Sequence, residues 1–574
     1  MPQDVSMHAD GGTQAAGESG WPLLEVRDLQ VDFGAGAVLH GVSFDLRRGE
    51  RVAIVGQSGS GKSTAVGAIL GLLPGSGRIS GGSILLDGQE LAGATEPQLR
   101  RLRGHRIGLV PQDPMSNLNP VMKVGSQIAD ALAANGHRGR ADLRRRAVAL
   151  MTEAGIPDAD RRYGQYPHEF SGGMRQRVLI AISLAGEPDL LIADEPTSAL
   201  DVTVQRQILN HLQTLVDARG TSLLFVTHDL GLAADRTDRI IVMSEGRIVE
   251  IGTPQDILFR PQHEYTRRLV AAAPSLLAVV GARPDAPGAP DPVPDLSPSS
   301  GPHGPLPAVP PAAPAPILEV RDLVKEFGLR GQRGGTVRAV GGVSFSVARG
   351  TTTAVVGESG SGKTTVARII LGLEDATSGE ALIEGRSITA STGATRRALR
   401  RKVQPVFQDP YGSLDPTYSI ERLIDEPLRV FKVGGRASRQ ARVAQLLDQV
   451  ALPRAVAQRR PNELSGGQRQ RVAIARALAL EPDLLICDEA VSALDVLVQD
   501  QILELLAELQ DRLSLSYLFI THDLAVVRQI AHRVVVMKSG MVVEDGSVER
   551  VFLSPEADYT KELLGAIPGA AFAR

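Results

Sequence analysis

Two stretches with period-two alternation of apolar and polar residues, LLEVRDLQVDF from Leu23 and ILEVRDLVKEF from Ile317, mark equivalent places in this chain. Such alternation predicts strands with one buried face. Downstream of each, the same order of elements recurs. A short apolar run, VAIV at 52–55 or TAVV at 353–356, leads into a glycine-rich loop and a helix. Mostly helical stretches follow at about 113–185 and 409–479. An apolar strand then ends in Asp-Glu, a second ends in Thr-His, and a β-rich tail closes each unit. Strands alternating with helices imply an α/β fold with a mainly parallel sheet covered on both faces. The short opening strands predict an antiparallel β part, and the helical stretches a helical subdomain.

A repeat of this length is a whole domain rather than a solenoid unit. Residues 1–20 are polar, lack the basic and apolar regions of a signal peptide, and predict a disordered tail. The expected divisions are 21–273, a linker at 274–316, and 317–574, each domain with a C-terminal extension. The linker is dominated by Pro, Ala and Gly and has neither helical nor strand period. At roughly 40 residues it would average roughly 35 Å end to end. A domain of this size has a radius of gyration near ~18 Å. The linker is therefore long enough to let two domains meet face to face. A separately functional proline-rich ligand is the plainer alternative for this segment.

Composition narrows the function. The 574 residues are 43% apolar and 22% charged, with a net charge of −3. That is ordinary for a globular protein and gives no electrostatic footprint for nucleic acid. Arg144–Arg146 and Arg400–Lys402 read as solvated helix faces. Cys487 is the single cysteine, so intrachain disulfides and cysteine-rich zinc or iron–sulfur sites are excluded. No run approaches the ~20 apolar residues of a membrane span.

The candidate chemistry is written twice. GQSGSGKS and GESGSGKT match the phosphate-binding loop G-x4-G-K-[ST]. Gly56, Ser58, Gly59, Gly61, Lys62, Ser63 and Thr64 form the first candidate nucleotide site. Gly357, Ser359, Gly360, Gly362, Lys363, Thr364 and Thr365 form the second. Glycines let several N–H groups converge on phosphate, and the following helix aims its positive end there. Lys62 and Lys363 are expected on the β/γ-phosphates. Ser63 and Thr364, with Asp194 and Asp488, are expected to ligate Mg²⁺, which takes hard oxygen donors. Glu195 and Glu489 would orient or deprotonate the attacking water. His228 and His522 would contact the γ-phosphate side, and Gln112 and Gln408 would sense both Mg²⁺ and γ-phosphate. Cys487 stands where the first repeat has Ala193 and reads as a small buried residue.

FSGGMRQR and LSGGQRQR, placed before the acidic strands and followed by SALD, resemble the signature of ABC-type ATPases. The resemblance implies two tandem P-loop NTPase domains that pair head to tail. It places Ser171, Gly172 and Gly173 on the nucleotide of Lys363, and Ser465, Gly466 and Gly467 on that of Lys62. Phe33 and Phe327 follow the first strand, where related ATPases often place an aromatic under adenine; a core or edge role is the alternative. VPQDPMSNLNP, VFQDPYGSLDP and the segments RPQHEYTRRLVAAAP and SPEADYTKELLGAIP resemble the dipeptide/oligopeptide and nickel importers, in a form that fuses two ATPase subunits. That resemblance implies ATP and Mg²⁺ as cofactors. It also implies two transmembrane permease subunits, an extracytoplasmic solute-binding protein, and a peripheral place on the cytoplasmic face of the cell membrane. The helical stretches after Gln112 and Gln408 would dock the permeases.

Departures are small. Met174 replaces the commoner glutamine of the signature, Ala490-Val491 replaces Pro196-Thr197, and Ala557-Asp558 stands where the family has His-Pro or His-Glu. Both sites are therefore expected to be competent. The rival reading is a soluble tandem ABC ATPase acting on the ribosome; the Pro/Ala linker and SALD argue against it. A DNA-repair ATPase would need zinc cysteines that this chain lacks. The cargo is not encoded here, and peptides are favoured over nickel, glutathione or haem by the tails alone.

Overall fold

The computed structural model describes residues 21–34, 36–197, 200–273, 316–328, 335–492 and 494–569. The expected tail at 1–20, and the expected linker except Pro316, lie outside the described residues. So do Ser198, Ala199 and Ala493 of the two SALD motifs.

The alternating segments at Leu24–Phe33 and Leu318–Gly328 are strands, each at the centre of an antiparallel sheet. In the first repeat the sheet runs Gly36–Leu46, Leu24–Phe33, Arg78–Leu86, Gln89–Glu90. The alternation buries Leu24, Val26, Leu29 and Val31 against the phosphate-loop helix Lys62–Leu70. A second, six-stranded sheet carries the chemistry. Its order is Arg247–Gly252, Arg239–Ser244, Arg51–Val55, Ser222–Thr227, Leu190–Asp194, Ile107–Val110. All neighbours are parallel except the first pair. The second repeat reproduces both sheets strand for strand.

The central strands read as nearly continuous apolar runs because both faces are covered, as a parallel sheet requires. Leu190–Ala193, Leu223–Val226 and Val52–Val55 are buried. Their C-terminal ends therefore emerge together at one edge of the sheet, and every candidate catalytic residue follows one of these ends. The helical subdomain lies between Ile107–Val110 and Leu190–Asp194 and ends in the helix Gly172–Ser183. One expectation is corrected. The tails are not β-rich: after the hairpin Arg239–Ser244 and Arg247–Gly252, the chain continues as helices Pro254–Phe259 and Glu264–Ala272. A proline after the Thr253 cap and the apolar spacing of Leu269 and Ala272 favour helix there.

Glycines fix how close the SGG helices sit. A Cβ on Gly467 would lie 2.5 Å from Val498 Cγ1, and one on Gly173 would lie 2.7 Å from Val204 Cγ1. The helix Gly466–Leu478 thus rests directly on Val496–Leu513. A Cβ on Gly466 would meet only Leu494 Cδ2, at 3.6 Å. Gly467→Ala is expected to destabilise the second repeat by about 1–3 kcal/mol through overpacking. Gly466→Ala should cost less than ~0.5 kcal/mol. Thermal unfolding of the two variants side by side checks this.

Candidate functional site

Each phosphate loop is shaped by positions that admit no side chain. Gly61 and Gly362 cap their helices at φ 100° and 99°, in the left-handed region. A Cβ on Gly56 would lie 2.3 Å from the Met243 carbonyl oxygen, and one on Gly357 would lie 2.1 Å from that of Met537. The lysines fold back over the loops. Lys62 Nζ donates to the carbonyls of Gly56 (2.6 Å) and Gln57 (3.1 Å), and Lys363 Nζ to those of Gly357 (2.7 Å) and Glu358 (2.8 Å). Burial lowers both lysine pKa values, opposed by the neighbouring carboxylates.

At the strand ends, Glu195 and Glu489 sit one residue past the parallel ladder. Both have positive φ, 43° and 48°, which non-glycine residues rarely adopt. Such strain costs on the order of 1–3 kcal/mol and collects at functional sites. The Glu195 and Glu489 N–H groups donate to Val226 and Ile520 (2.8 and 2.9 Å), which holds the turned backbone in place. Each carboxylate is then gripped twice. Gln112 Nε2 donates to Glu195 Oε2 (2.8 Å), and His228 Nδ1 lies 3.2 Å from Oε1. Gln408 Nε2 donates to Glu489 Oε2 (2.6 Å), and His522 Nδ1 lies 3.4 Å from Oε1. The glutamines expected to face a metal therefore hold the glutamates here.

Electrostatics follow from this packing. Burial pushes Glu195 and Glu489 upward, but the hydrogen bond and charge of each histidine, with the loop lysine, bring them below the ordinary carboxylate value. Burial pushes His228 and His522 downward, but the glutamate partner raises them above the ordinary value. Asp194 and Asp488 are raised, first by burial and then by the adjacent glutamate. Asp194 Oδ1 is buried with no hydrogen-bond donor, while Thr364 Oγ1 donates to Asp488 Oδ1 at 3.3 Å. A carboxylate oxygen without a donor, beside a loop hydroxyl, suits a hard cation.

The pockets at the two lysines are completed across the repeats. The pocket holding Ser359, Gly360, Gly362, Lys363, Thr364, Thr365, Gln408, Glu489 and His522 is also lined by Leu200 and Asp201 of the first repeat. The pocket holding Ser58, Gly59, Gly61, Lys62, Ser63, Thr64, Gln112, Glu195 and His228 is also lined by Ser492, Leu494 and Asp495 of the second. Asp495 acts electrostatically on Lys62, and Asp201 on Lys363. Ser171 and Ser465 do not line these pockets. They cap the helices Gly172–Ser183 and Gly466–Leu478, accepting from the N–H of Met174 and Gln468. Gly172 and Gly466 lie against Leu200 and Leu494, the residues that reach the opposite pocket.

Phe33 and Phe327 are likewise outside both pockets. Phe33 packs beside Gly77 within the antiparallel part, and Phe327 is half-exposed with the Lys325 ammonium 4.8 Å from its ring centre. Val38 and Ala339 line the pockets instead. Phe33 is the last residue of its strand and Phe327 the last but one, whereas Val38 and Ala339 lie on the neighbouring strand, next to the loop.

The family model described as "ABC transporter" matches residues 39–198 and 340–492. This chain belongs to the ABC transporter family. The model described as "Oligopeptide/dipeptide transporter, C-terminal region" matches residues 249–297. The oligopeptide transport ATP-binding protein OppD of Mycobacterium tuberculosis is 44% identical over 604 residues, covering 95% of this chain and 98% of OppD. The glutathione import ATP-binding protein GsiA of Escherichia coli is 44% identical over 568 residues, covering 96% and 90%. A solved dimer of an ATP-binding cassette bound to ADP and Pi is 30% identical, covering 40% of this chain and 99% of that one, with a TM-score of 0.37. The two matches of the family model make the two repeats two ABC cassettes, and with these relatives the chain is an ATPase.

Two sets of site residues were missed by sequence reasoning. Asp201 and Asp495 were legible within SALD but were not assigned to a site. The tyrosines of the extensions, Tyr265 and Tyr559, accept from the N–H groups of Gln57 (3.0 Å) and Glu358 (3.1 Å) in the phosphate loops. Their signal was the shared Tyr-Thr of EYTRRL and DYTKEL. Glu250 fixes the turn before Tyr265 by accepting from the N–H of Gln262 and His263. Glu544 does the same through Glu556 and Ala557, so the Ala557-Asp558 departure leaves this clamp intact.

The His228–Glu195 pair predicts a titration. Because the folded histidine pKa is raised, its stabilising contribution is full below the ordinary value of ~6.5 and lost as pH rises through the folded value. Histidine NMR should place the His228 midpoint above ~6.5. In Glu195→Gln only Asp229 is left to oppose burial, so the midpoint should fall.

Proposed function

We propose that this chain is the ATP-hydrolysing subunit of a membrane importer for dipeptides or oligopeptides, working through two composite ATP sites. The observation that carries the reading is the completion of each phosphate-loop pocket by Leu200 and Asp201, or by Ser492, Leu494 and Asp495, of the other cassette. The peptide reading is supported by the C-terminal region match and by OppD.

In each site the loop N–H groups and Lys62 or Lys363 hold the β/γ-phosphates. Ser63 and Asp194, or Thr364 and Asp488, would hold Mg²⁺, with Gln112 or Gln408 beside them. The ion supplies charge neutralisation on the transferred phosphoryl group. Glu195 and Glu489, kept ionised by their histidines, take the proton of the attacking water. The SGG helices contribute their N-terminal N–H groups when the cassettes close on ATP.

Among the described residues no helix is long and apolar enough to cross a membrane. The membrane link is made by two permease subunits, supplied with cargo by a solute-binding protein. In the second cassette a groove of about 550 Å³ is lined by Leu373, Phe407, Val430 and Phe431 with Arg396, Arg397 and Arg400. It lies between the antiparallel part and the helical subdomain and suits a short apolar permease helix. The first cassette presents Arg100, Arg101, His105 and Asn135 in the corresponding region, a more polar surface.

Purification of the chain with its permeases tests the reading. Glu195→Gln and Glu489→Gln should each lower ATP turnover, and together should reduce it by about 10²-fold or more. Uptake of labelled dipeptide into vesicles should fall in step. Turnover untouched by one change would overturn the two-site reading. Recovery with ribosomes and never with permeases would overturn the transporter reading. Uptake of glutathione or nickel to the exclusion of peptides would overturn the peptide assignment alone.

A further inference from the structure

The two composite sites match in their loops and strand ends but differ where the cassettes touch. The second position of the phosphate loop is Gln57 in one copy and Glu358 in the other. Glu358 Oε1 lies 2.5 Å from Thr203 Oγ1, on the helix Val202–Arg219 of the first cassette. Thr203 Oγ1 is in turn 2.9 Å from Oδ1 of Asp201, the residue that reaches the Lys363 pocket. Thr203 is 2% exposed, so this hydroxyl is buried between two carboxylates. The Glu358 N–H donates to Tyr559 of the second extension. A continuous polar chain therefore runs from that extension, through the loop at Lys363, to the opposite cassette.

The equivalent of Thr203 in the second cassette is Leu497, which has no hydroxyl. Leu497 is buried in the apolar core of the first cassette with Leu269, Ala272 and Ala273. The Lys62 side is thus sealed by apolar packing and the Lys363 side by hydrogen bonds. The second extension strengthens that polar side. Arg206 Nη1 donates to the Gly565 carbonyl (2.6 Å), and the Gly569 N–H donates to Asp235 Oδ2 (2.7 Å).

We propose that Thr203 and Glu358 form a latch that makes the two ATP sites inequivalent, holding the loop at Lys363 against the opposite cassette more firmly than the loop at Lys62 is held. Both residues are positioning residues. Thr203 donates its one proton to the Glu358 carboxylate, while Asp201 is held beside it, next to the pocket, by the Val204 N–H. The charge-assisted Thr203–Glu358 hydrogen bond, partly buried between the cassettes, must break before that pocket can open. Nucleotide therefore leaves the Lys363 site later than the Lys62 site. The inference rests on the reading of both pockets as ATP sites, which ATP binding to Lys62→Ala and Lys363→Ala tests separately.

The experiment uses the full chain assembled with its permeases and measures release of a fluorescent ATP analogue. In the Lys62→Ala background only the Lys363 site loads. There, Glu358→Gln with Thr203→Leu, the residues that the other site carries at these positions, should speed release about five- to tenfold. In the Lys363→Ala background the same pair should leave release unchanged. Thr203→Val keeps the shape and should also speed release from the Lys363 site, whereas Thr203→Ser keeps the hydroxyl and the original rate. Equal acceleration at both sites, no acceleration at either, or a Thr203→Ser rate matching Thr203→Val would overturn the latch.

Discussion

Asp201 acting on Lys363, and Asp495 acting on Lys62, set what the rest of the chain must accomplish. A buried lysine loses solvation, and nearby carboxylates offset part of that loss: Glu195, Asp194 and Asp495 at Lys62, and Glu489, Asp201, Asp488 and Glu358 at Lys363. One of these at each lysine comes from the other cassette, and the two cassettes face one another across both pockets. The duplicated fold, the close seating of the SGG helices through Gly173 and Gly467, and the contacts of the C-terminal extensions all serve that orientation. Neither copy forms a finished pocket alone.

The same edge also brings the two catalytic centres within reach of each other. Between the cassettes lies a cavity of about 130 Å³, bounded by Glu195, His228 and Asp229 on one side and His522 and Asp523 on the other. Asp229 and Asp523 are both raised by burial. Each histidine faces both this cavity and its own phosphate loop. His228 and His522 thus join each phosphate-loop pocket to the face the two cassettes share.

Much of this was legible before the structure. The apolar runs ending in Asp-Glu and Thr-His read as parallel strands because strands buried on both faces cannot alternate. The phosphate loops read from their glycines, whose left-handed φ and missing Cβ the fold uses. What was not legible depended on contacts between distant segments. The tails looked β-rich because the hairpin Arg239–Ser244 and Arg247–Gly252 dominates their apolar pattern, yet the last two helices supply the tyrosines. Phe33 and Phe327 were candidates for adenine or for a core or edge place; the residues that line the two phosphate-loop pockets from this part of the fold are Val38 and Ala339. The Thr203–Glu358 contact joins residues 155 apart, on different cassettes, and no local pattern announces it.

In the proposed arrangement each ATP is bound by the phosphate loop of one cassette and the SGG helix of the other. Counting nucleotides trapped per chain, in a Glu195→Gln, Glu489→Gln background, tests it directly. Lys62→Ala with Ser465→Arg damages one composite site twice, so the chain should still trap one nucleotide. Lys62→Ala with Ser171→Arg damages both sites, so it should trap none. The reverse pattern, with one nucleotide retained by the Lys62→Ala, Ser171→Arg chain and none by the other, would contradict the head-to-tail account.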